Sequence, residues 1–152
     1  MRVSAKADYA LRAAIELAGA EGERMIKAAR IAEAQQIPRN FLDNILTELR
    51  TAGLVRTQRG SDGGSMLARP ASTITLADVI RAVEGPLAAV KGVRPDDLEF
   101  AGLAAPMGEV WIAVRASLRA VLEATTLEHV VRGELPLAVR QLATGPDAHA
   151  PH

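Results

Sequence analysis

The run "PRNFLDNILTELRTAGLVRTQRGSDGGSMLARP", residues 38–70, decides how the rest of the chain is read. Its first half places Leu42, Ile45, Leu46 and Leu49 at spacings of three and four, one face of an α-helix. Pro38 suits the first position of that helix, where its missing N–H costs nothing, and Gly53 suits the stop. Residues 54–58, "LVRTQ", then read as a strand, and 65–69, "SMLAR", as its return. The connection is "RGSDGG", in which Asp62-Gly63 is a favoured hairpin dipeptide because both residues tolerate positive φ.

A glycine-rich loop invites three readings. A nucleotide-phosphate loop needs G-x-x-x-x-G-K-[ST] between a strand and a helix, and a dinucleotide fingerprint needs G-x-G-x-x-G opening a helix. Here the spacing is G-x-x-G-G, no Lys follows, and a strand comes next. A plain hairpin is the second reading. The third is a loop lying on nucleic acid. Arg56, Arg59 and Arg69 set guanidinium groups beside a slender loop. Gly60, Gly63 and Gly64 give it little bulk, so it can approach phosphates or enter a minor groove. Asp62 must then point away or tie down the turn.

Upstream, Ser4 reads as the N-cap of a helix over residues 7–20, with Leu11, Ala14, Ile15 and Ala18 on its buried face. "GAEGE" ends it. A shorter helix covers about 28–36, burying Ile31 and Ala32, and Ile37-Pro38 breaks it. Downstream, Thr75 caps a helix over 76–84. Residues 85–106 hold three Pro and three Gly without a stable period and read as a loop. Residues 107–123 read as a long helix with Met107, Val110, Trp111, Val114, Leu118, Val121 and Leu122 along one side. Thr126 starts a short last helix, and the chain frays after Leu135.

Two short helices joined tightly, with a hairpin directly after the second, form the pattern of a winged helix-turn-helix. The expected fold is mainly α with a small β-hairpin wing, plus a long dimerisation helix. The expected units are 1–84 (winged helix-turn-helix), 85–106 (linker loop), 107–133 (dimerisation helix and short last helix) and 134–152 (flexible tail). With the leucine face of the third helix inward, Asn40, Asn44 and Thr47 face outward, with Arg39 and Asp43 at the rim. Asn bonds adenine bidentately and Arg bonds guanine or phosphate. Arg39 and Asn40 stand at the N-terminal end, which enters the major groove in such domains.

Composition narrows the classes. Of 152 residues, 49% are hydrophobic and only 3% aromatic, which favours an aliphatic, Ala-rich helical core. Net charge is zero, but residues 1–70 carry eleven Arg/Lys against eight Asp/Glu, and residues 71–152 carry seven against ten. A mildly basic front and an acidic back fit two jobs. The absence of cysteine excludes disulfides, a thiol nucleophile and Cys-ligated metal. No His precedes His129, and no paired carboxylates stand in a catalytic setting, so no enzyme is expected. No segment approaches a membrane span and the N-terminus lacks a signal peptide's apolar core, so a cytoplasmic protein is expected.

The sequence resembles the IscR/NsrR-type (Rrf-two) family of bacterial winged helix-turn-helix transcription regulators. The resemblance rests on "MRVSAKADYALRAAIELA", on the run from Ile31 to Pro70, on "ITLADVIRAVEGPL", and on "VW…LRAVLEATTLEHV", together most of residues 1–131. It implies a homodimer paired through Val110, Trp111, Val114, Leu118 and Val121, with two winged helices on a pseudo-palindromic operator. The apolar stripe fits independently, since it offers more to bury than one small domain takes up. Packing on its own domain is the alternative. Many relatives bind an iron–sulfur cluster through cysteines in the loop that is here "VKGVRPDDLEFAGLAAPMG", which has neither Cys nor His. Some relatives draw ligands from the first helix, where this chain offers Asp8 and Arg12, and Arg does not ligate metals. His129 reads as an ordinary polar residue, and His149 and His152 lie in the tail. No metal or other cofactor is therefore expected. Ser65 replaces the family's usual aromatic residue after the paired glycines, which predicts looser wing packing.

The expected function is a cluster-free, DNA-binding transcriptional regulator acting as a homodimeric repressor on double-stranded DNA. Its bases are read by Arg39, Asn40, Asn44 and Thr47, and its backbone is held by Arg56, Arg59, Gly60, Gly63 and Gly64. The signal is left open between a small-molecule effector, a partner protein docking on the acidic half, and no signal at all. The competing reading is a winged-helix protein-interaction module that has lost DNA binding or needs a partner protein or small-molecule co-ligand, favoured by zero net charge and Asp62. A continuous basic strip joining Arg39, Arg50, Arg56 and Arg59 would count against it.

Overall fold

Ser4 caps the first helix as predicted, accepting from the Ala7 N–H at 3.0 Å. In the computed structural model, which describes residues 2–22 and 24–151, this helix is α1, Ala5–Gly19. α2 (Ala28–Gln35) and α3 (Arg39–Thr51) follow, then β1 (Val55–Gln58) and β2 (Gly64–Leu67). α4 is Leu76–Glu84, α5 Met107–Leu122, α6 Leu127–Arg132 and α7 Leu137–Thr144. The order α1–α2–α3–β1–β2 with α4 behind is a winged helix-turn-helix.

α1 is the central helix, packed on α2, α3, α4 and α6. Its buried line is Ala7, Ala10, Ala13, Ala14, Leu17 and Ala18, whereas Leu11 and Ile15 are only half-buried. The predicted face was therefore rotated. Small alanines on the buried face let four neighbouring helices approach α1 closely. α3 agrees with its prediction in full: Leu42, Ile45, Leu46 and Leu49 are all buried. Pro38 stands one place earlier than expected, as N-cap, with ψ 131° rather than a helical value. In α2, Ile31 is buried and Ala32 half-buried.

The hairpin pairs Val55 with Leu67 and Gln58 with Gly64, leaving residues 59–63 as its loop. The turn is closed by the Gly63 N–H on the Gly60 carbonyl at 3.1 Å. Positive φ falls on Gly60 (105°) and Gly64 (155°), not on Asp62-Gly63. A five-residue loop does not need the paired positive angles of a two-residue turn. Ser65 is 3% exposed and exchanges two backbone hydrogen bonds with Ile26, at 2.9 and 2.8 Å, an antiparallel bridge that ties the wing to the chain before α2.

α4 begins with a capping box. The Thr75 Oγ1 accepts from the Asp78 N–H, and the Asp78 carboxylate accepts from the Thr75 N–H. Thr126 and His129 repeat the arrangement at α6, where His129 Nδ1 accepts from the Thr126 N–H at 3.1 Å. The two caps face each other: Leu76 N–H bonds Thr125 O and Leu127 N–H bonds Ile74 O, both at 2.9 Å. Leu127 is thereby fully buried in the same core as α1 and α3. The packing thus crosses the expected division at residue 84.

Two further expectations change. Residues 85–106 are irregular but not loose: they contain short 3₁₀ turns at Pro95–Asp97 and Gly102–Ala104, and Leu87 and Pro95 are buried. Asp96 pairs with Arg115 of α5 and with Arg94, which fastens the segment to the long helix. The region after Leu135 is not all frayed, because α7 covers Leu137–Thr144. Pro136 before it and Gly145 after it are ordinary boundary signals, but no residue of α7 is buried, so no core stripe announced it. His152 lies outside the described residues.

Candidate nucleic-acid interface

Burying four aliphatic side chains on one side of α3 turns Arg39, Asn40, Asp43, Asn44, Thr47 and Arg50 outward. The hairpin folds beside that surface, leaving a groove between helix and wing. Lys27, Arg39, Asp43, Thr47, Arg50 and Arg59 line it, with Gly63 and Gly64 at the wing side. Four cations therefore face one carboxylate. A cationic groove between helix and wing suits a polyanionic backbone.

The groove is held by specific bonds. Lys27 Nζ donates to the Gly60 carbonyl at 2.7 Å and tethers the wing tip to the start of α2. Arg50 Nη1 donates to Thr57 Oγ1 at 3.2 Å, linking α3 to β1. Arg39 Nε lies 3.0 Å from Asp43 Oδ1. Thr47 Oγ1 donates to the Asp43 carbonyl at 2.9 Å. The wing glycines are required by close approach. A Cβ on Gly63 would lie 2.1 Å from the Gln58 carbonyl oxygen, and one on Gly64 would lie 2.5 Å from that of Ile26.

The expected residues divide. Arg39, Thr47, Arg59, Gly63 and Gly64 come together at the groove, and Gly60 is joined to it through Lys27. Asn44 lies on the other flank of α3, in a shallow depression with Lys6, Phe41 and Glu48, while Thr47 borders both hollows. Asn40 is exposed on the first turn. Arg56 is exposed but alternates to the face of β1 opposite Val55 and Thr57, outside the groove. Arg69 is withdrawn too: it donates to the Thr73 carbonyl at 3.1 Å and reaches Asp78 at 3.5 Å, tying the strand exit to α4. Lys27 was missed, since a lysine before a helix carries no capping signal; only the fold brings it to the wing.

The stripe on α5 is only partly covered. No residue of α5 is buried; Val110 is 49% and Ile112 44% exposed, and Trp111, Val114, Leu118 and Val121 are half-buried. At its C-terminal end, Glu123 accepts from Arg81 of α4 and from Arg119. The hydrogen bond from Arg119, then that from Arg81, holds the Glu123 carboxyl below the usual glutamate range, and the same contact raises Arg119.

Residues 3–133 match the model of a family described as Rrf2, an iron-dependent transcriptional regulator. The chain is 50% identical over 143 residues to Rv1287 of Mycobacterium tuberculosis, provisionally named an HTH-type transcriptional regulator, covering 94% of this chain and 89% of that protein. It is 34% identical to the HTH-type transcriptional regulator CymR of Bacillus subtilis over 84% of this chain and 88% of CymR. The solved structure of that CymR, the global cysteine regulator of B. subtilis, superposes with a TM-score of 0.74 over 88% of this chain and 98% of its own. T. potens IscR superposes with a TM-score of 0.72 at 32% identity, over 88% of each chain. The iron in the family's description finds no matching donors here. The chain has no cysteine, and no three His, Asp or Glu side chains converge among the described residues. Asp8 is occupied by Arg12 at 2.7 Å, and His129 Nδ1 by the Thr126 N–H.

Proposed function

The chain belongs to the Rrf2 family of transcriptional regulators and is a DNA-binding regulator rather than an enzyme, and from that premise we propose that it works as a cluster-free homodimer, repressing from a pseudo-palindromic operator. The observation that carries this reading is the groove in which Lys27, Arg39, Arg50 and Arg59 converge between α3 and the wing. α3 enters the major groove, with Arg39, Asn40, Asn44 and Thr47 toward base edges. Arg59 and the backbone of Gly60, Gly63 and Gly64 follow the phosphates, joined by Lys27. Arg56, outside the groove, is given no contact.

The partly covered stripe of α5 pairs with a second copy through Val110, Trp111, Val114, Leu118 and Val121. Two identical readers related by a two-fold axis call for a palindromic site. Its place of action is the cytoplasm. No helix among the described residues is long and apolar enough to cross a membrane. With no thiol to carry a signal, control falls to a small molecule or a partner protein.

The test is selection of binding sites from random duplex DNA at two salt concentrations. A palindromic consensus, bound less tightly as salt rises, is expected. No enrichment at low salt would replace this reading with a winged-helix module that binds protein.

A further inference from the structure

Arg12 sits outside the groove, yet its contacts converge on the turn that sets the recognition helix. Gln35, the last residue of α2, has a carbonyl that an ordinary helix end leaves unpaired. Three residues on stands Pro38, which has no N–H to give. Arg12 supplies the missing donor from α1: its Nη1 lies 2.7 Å from the Gln35 carbonyl oxygen. A cation there also suits the negative end of α2.

The same guanidinium is fixed from two other sides. Nη2 pairs with Asp8 at 2.7 Å, and the Tyr9 ring centroid lies 5.0 Å from the guanidinium carbon. Tyr9 in turn meets Phe41 of α3 edge-to-face, with centroids 6.1 Å apart. The Gln35 side chain is held separately, by Glu16. One side chain of α1 thus touches the end of α2 directly and the first turn of α3 through a ring.

We propose that Arg12 is a positioning residue for DNA reading: it locks the α2–α3 turn so that Arg39 and Asn40 meet the bases in one register. The proposal rests on α3 being the reading helix. Arg12 itself touches no DNA. Its ion pair with Asp8 is partly exposed, so losing that pair costs little stability.

The test uses the full-length protein and the operator selected above. Arg12→Ala is expected to keep its helical spectrum and its affinity for random duplex, and to lose operator affinity by about tenfold or more, the worth of one misread base pair. The slope of log affinity against log salt stays unchanged. Arg12→Lys keeps a cation but lacks the two-nitrogen fork that spans Asp8 and the Gln35 carbonyl, and gives a smaller loss; it carries the test if the alanine variant does not fold. Tyr9→Leu is expected to shift operator affinity in the same direction. Unchanged operator affinity overturns the proposal. So does a salt slope flattened by about 0.9, which marks a direct phosphate contact. If the wild-type protein selects no operator, the DNA reading fails first. Hydrogen exchange then decides on Arg12 alone: the Ile37 and Leu42 amides, bonded to Ala32 O and Pro38 O, exchange faster in Arg12→Ala if it locks the turn. Unchanged exchange overturns the lock.

Discussion

Gly64 in the wing and Ile26 before α2 lie backbone against backbone, so close that a single added methyl group would meet the Ile26 carbonyl oxygen at 2.5 Å. This contact fastens the wing to the body through the Ile26–Ser65 pair. Gly64→Ala must push the two strands apart or abandon that pairing. Overpacking of this kind costs about 1–3 kcal/mol. Urea denaturation should show a lower midpoint, and DNA affinity should fall with it. An unchanged midpoint would mean that the wing is not pinned at Ile26.

Lys27 and Arg59 are expected to contribute to DNA binding in the same way, through phosphates. Lys27→Ala and Arg59→Ala should each weaken binding across all sequences and reduce the salt slope by about 1. Arg56→Ala, on the opposite face of β1, should leave the slope unchanged. A titration series by fluorescence anisotropy at several salt concentrations separates the three. Equal effects for all three would show that the groove is not where the backbone runs.

Val114→Glu places a charge in the middle of the α5 stripe, and two copies would bring two such charges together. The expected result is a monomer in sedimentation velocity, with operator affinity lower by about a hundredfold as the second reader is lost. The helical spectrum should be retained, because no residue of α5 is part of the buried core. A dimer that survives Val114→Glu would locate the interface elsewhere.

Glu123 predicts a pH dependence. Arg119 and Arg81 hold its carboxyl below the usual glutamate range, so its ionised form is favoured in the folded protein. Such a group adds stability at pH values above its unfolded value, and that stability is lost as pH falls through the lower folded value. The tie between α4 and α5 should therefore hold near neutrality and slacken only in acid, below the ordinary glutamate range. Glu123→Gln should remove this acid-side component from a melting-temperature profile. The effect is small, because the carboxylate is about one-third exposed.

What the sequence disclosed follows from the range of the interactions. Leu42, Ile45, Leu46 and Leu49 repeat within one helix, and Thr75 caps its own helix, so both could be read locally. The resemblance to the family extended that reading to most of residues 1–131. The Ile26–Ser65 pairing joins positions far apart in the chain, and no period marks it. Lys27 became a groove residue for the same reason. In α1 the true face is made of alanines, whose burial leaves little contrast with neighbouring positions. Asp62-Gly63 was a sound hairpin signal for the loop, but the register of β1 and β2, which pairs Gln58 with Gly64, moves the positive φ values to Gly60 and Gly64. α7 has boundary residues but no buried face, and a helix with nothing to bury writes a faint pattern.

The facing caps of Thr75 and Thr126 also bear on how the protein is made. Leu127 closes the core that α1, α3 and α4 build, and it is held there by bonds to Ile74. A nascent chain that has released only its first 84 residues therefore lacks a piece of its own interior. The reading head is completed only when residue 127 has left the ribosome, by which point the whole of α5 has emerged. A truncated translation product that stops short of α6 should not be left as a finished, solitary competitor for the operator.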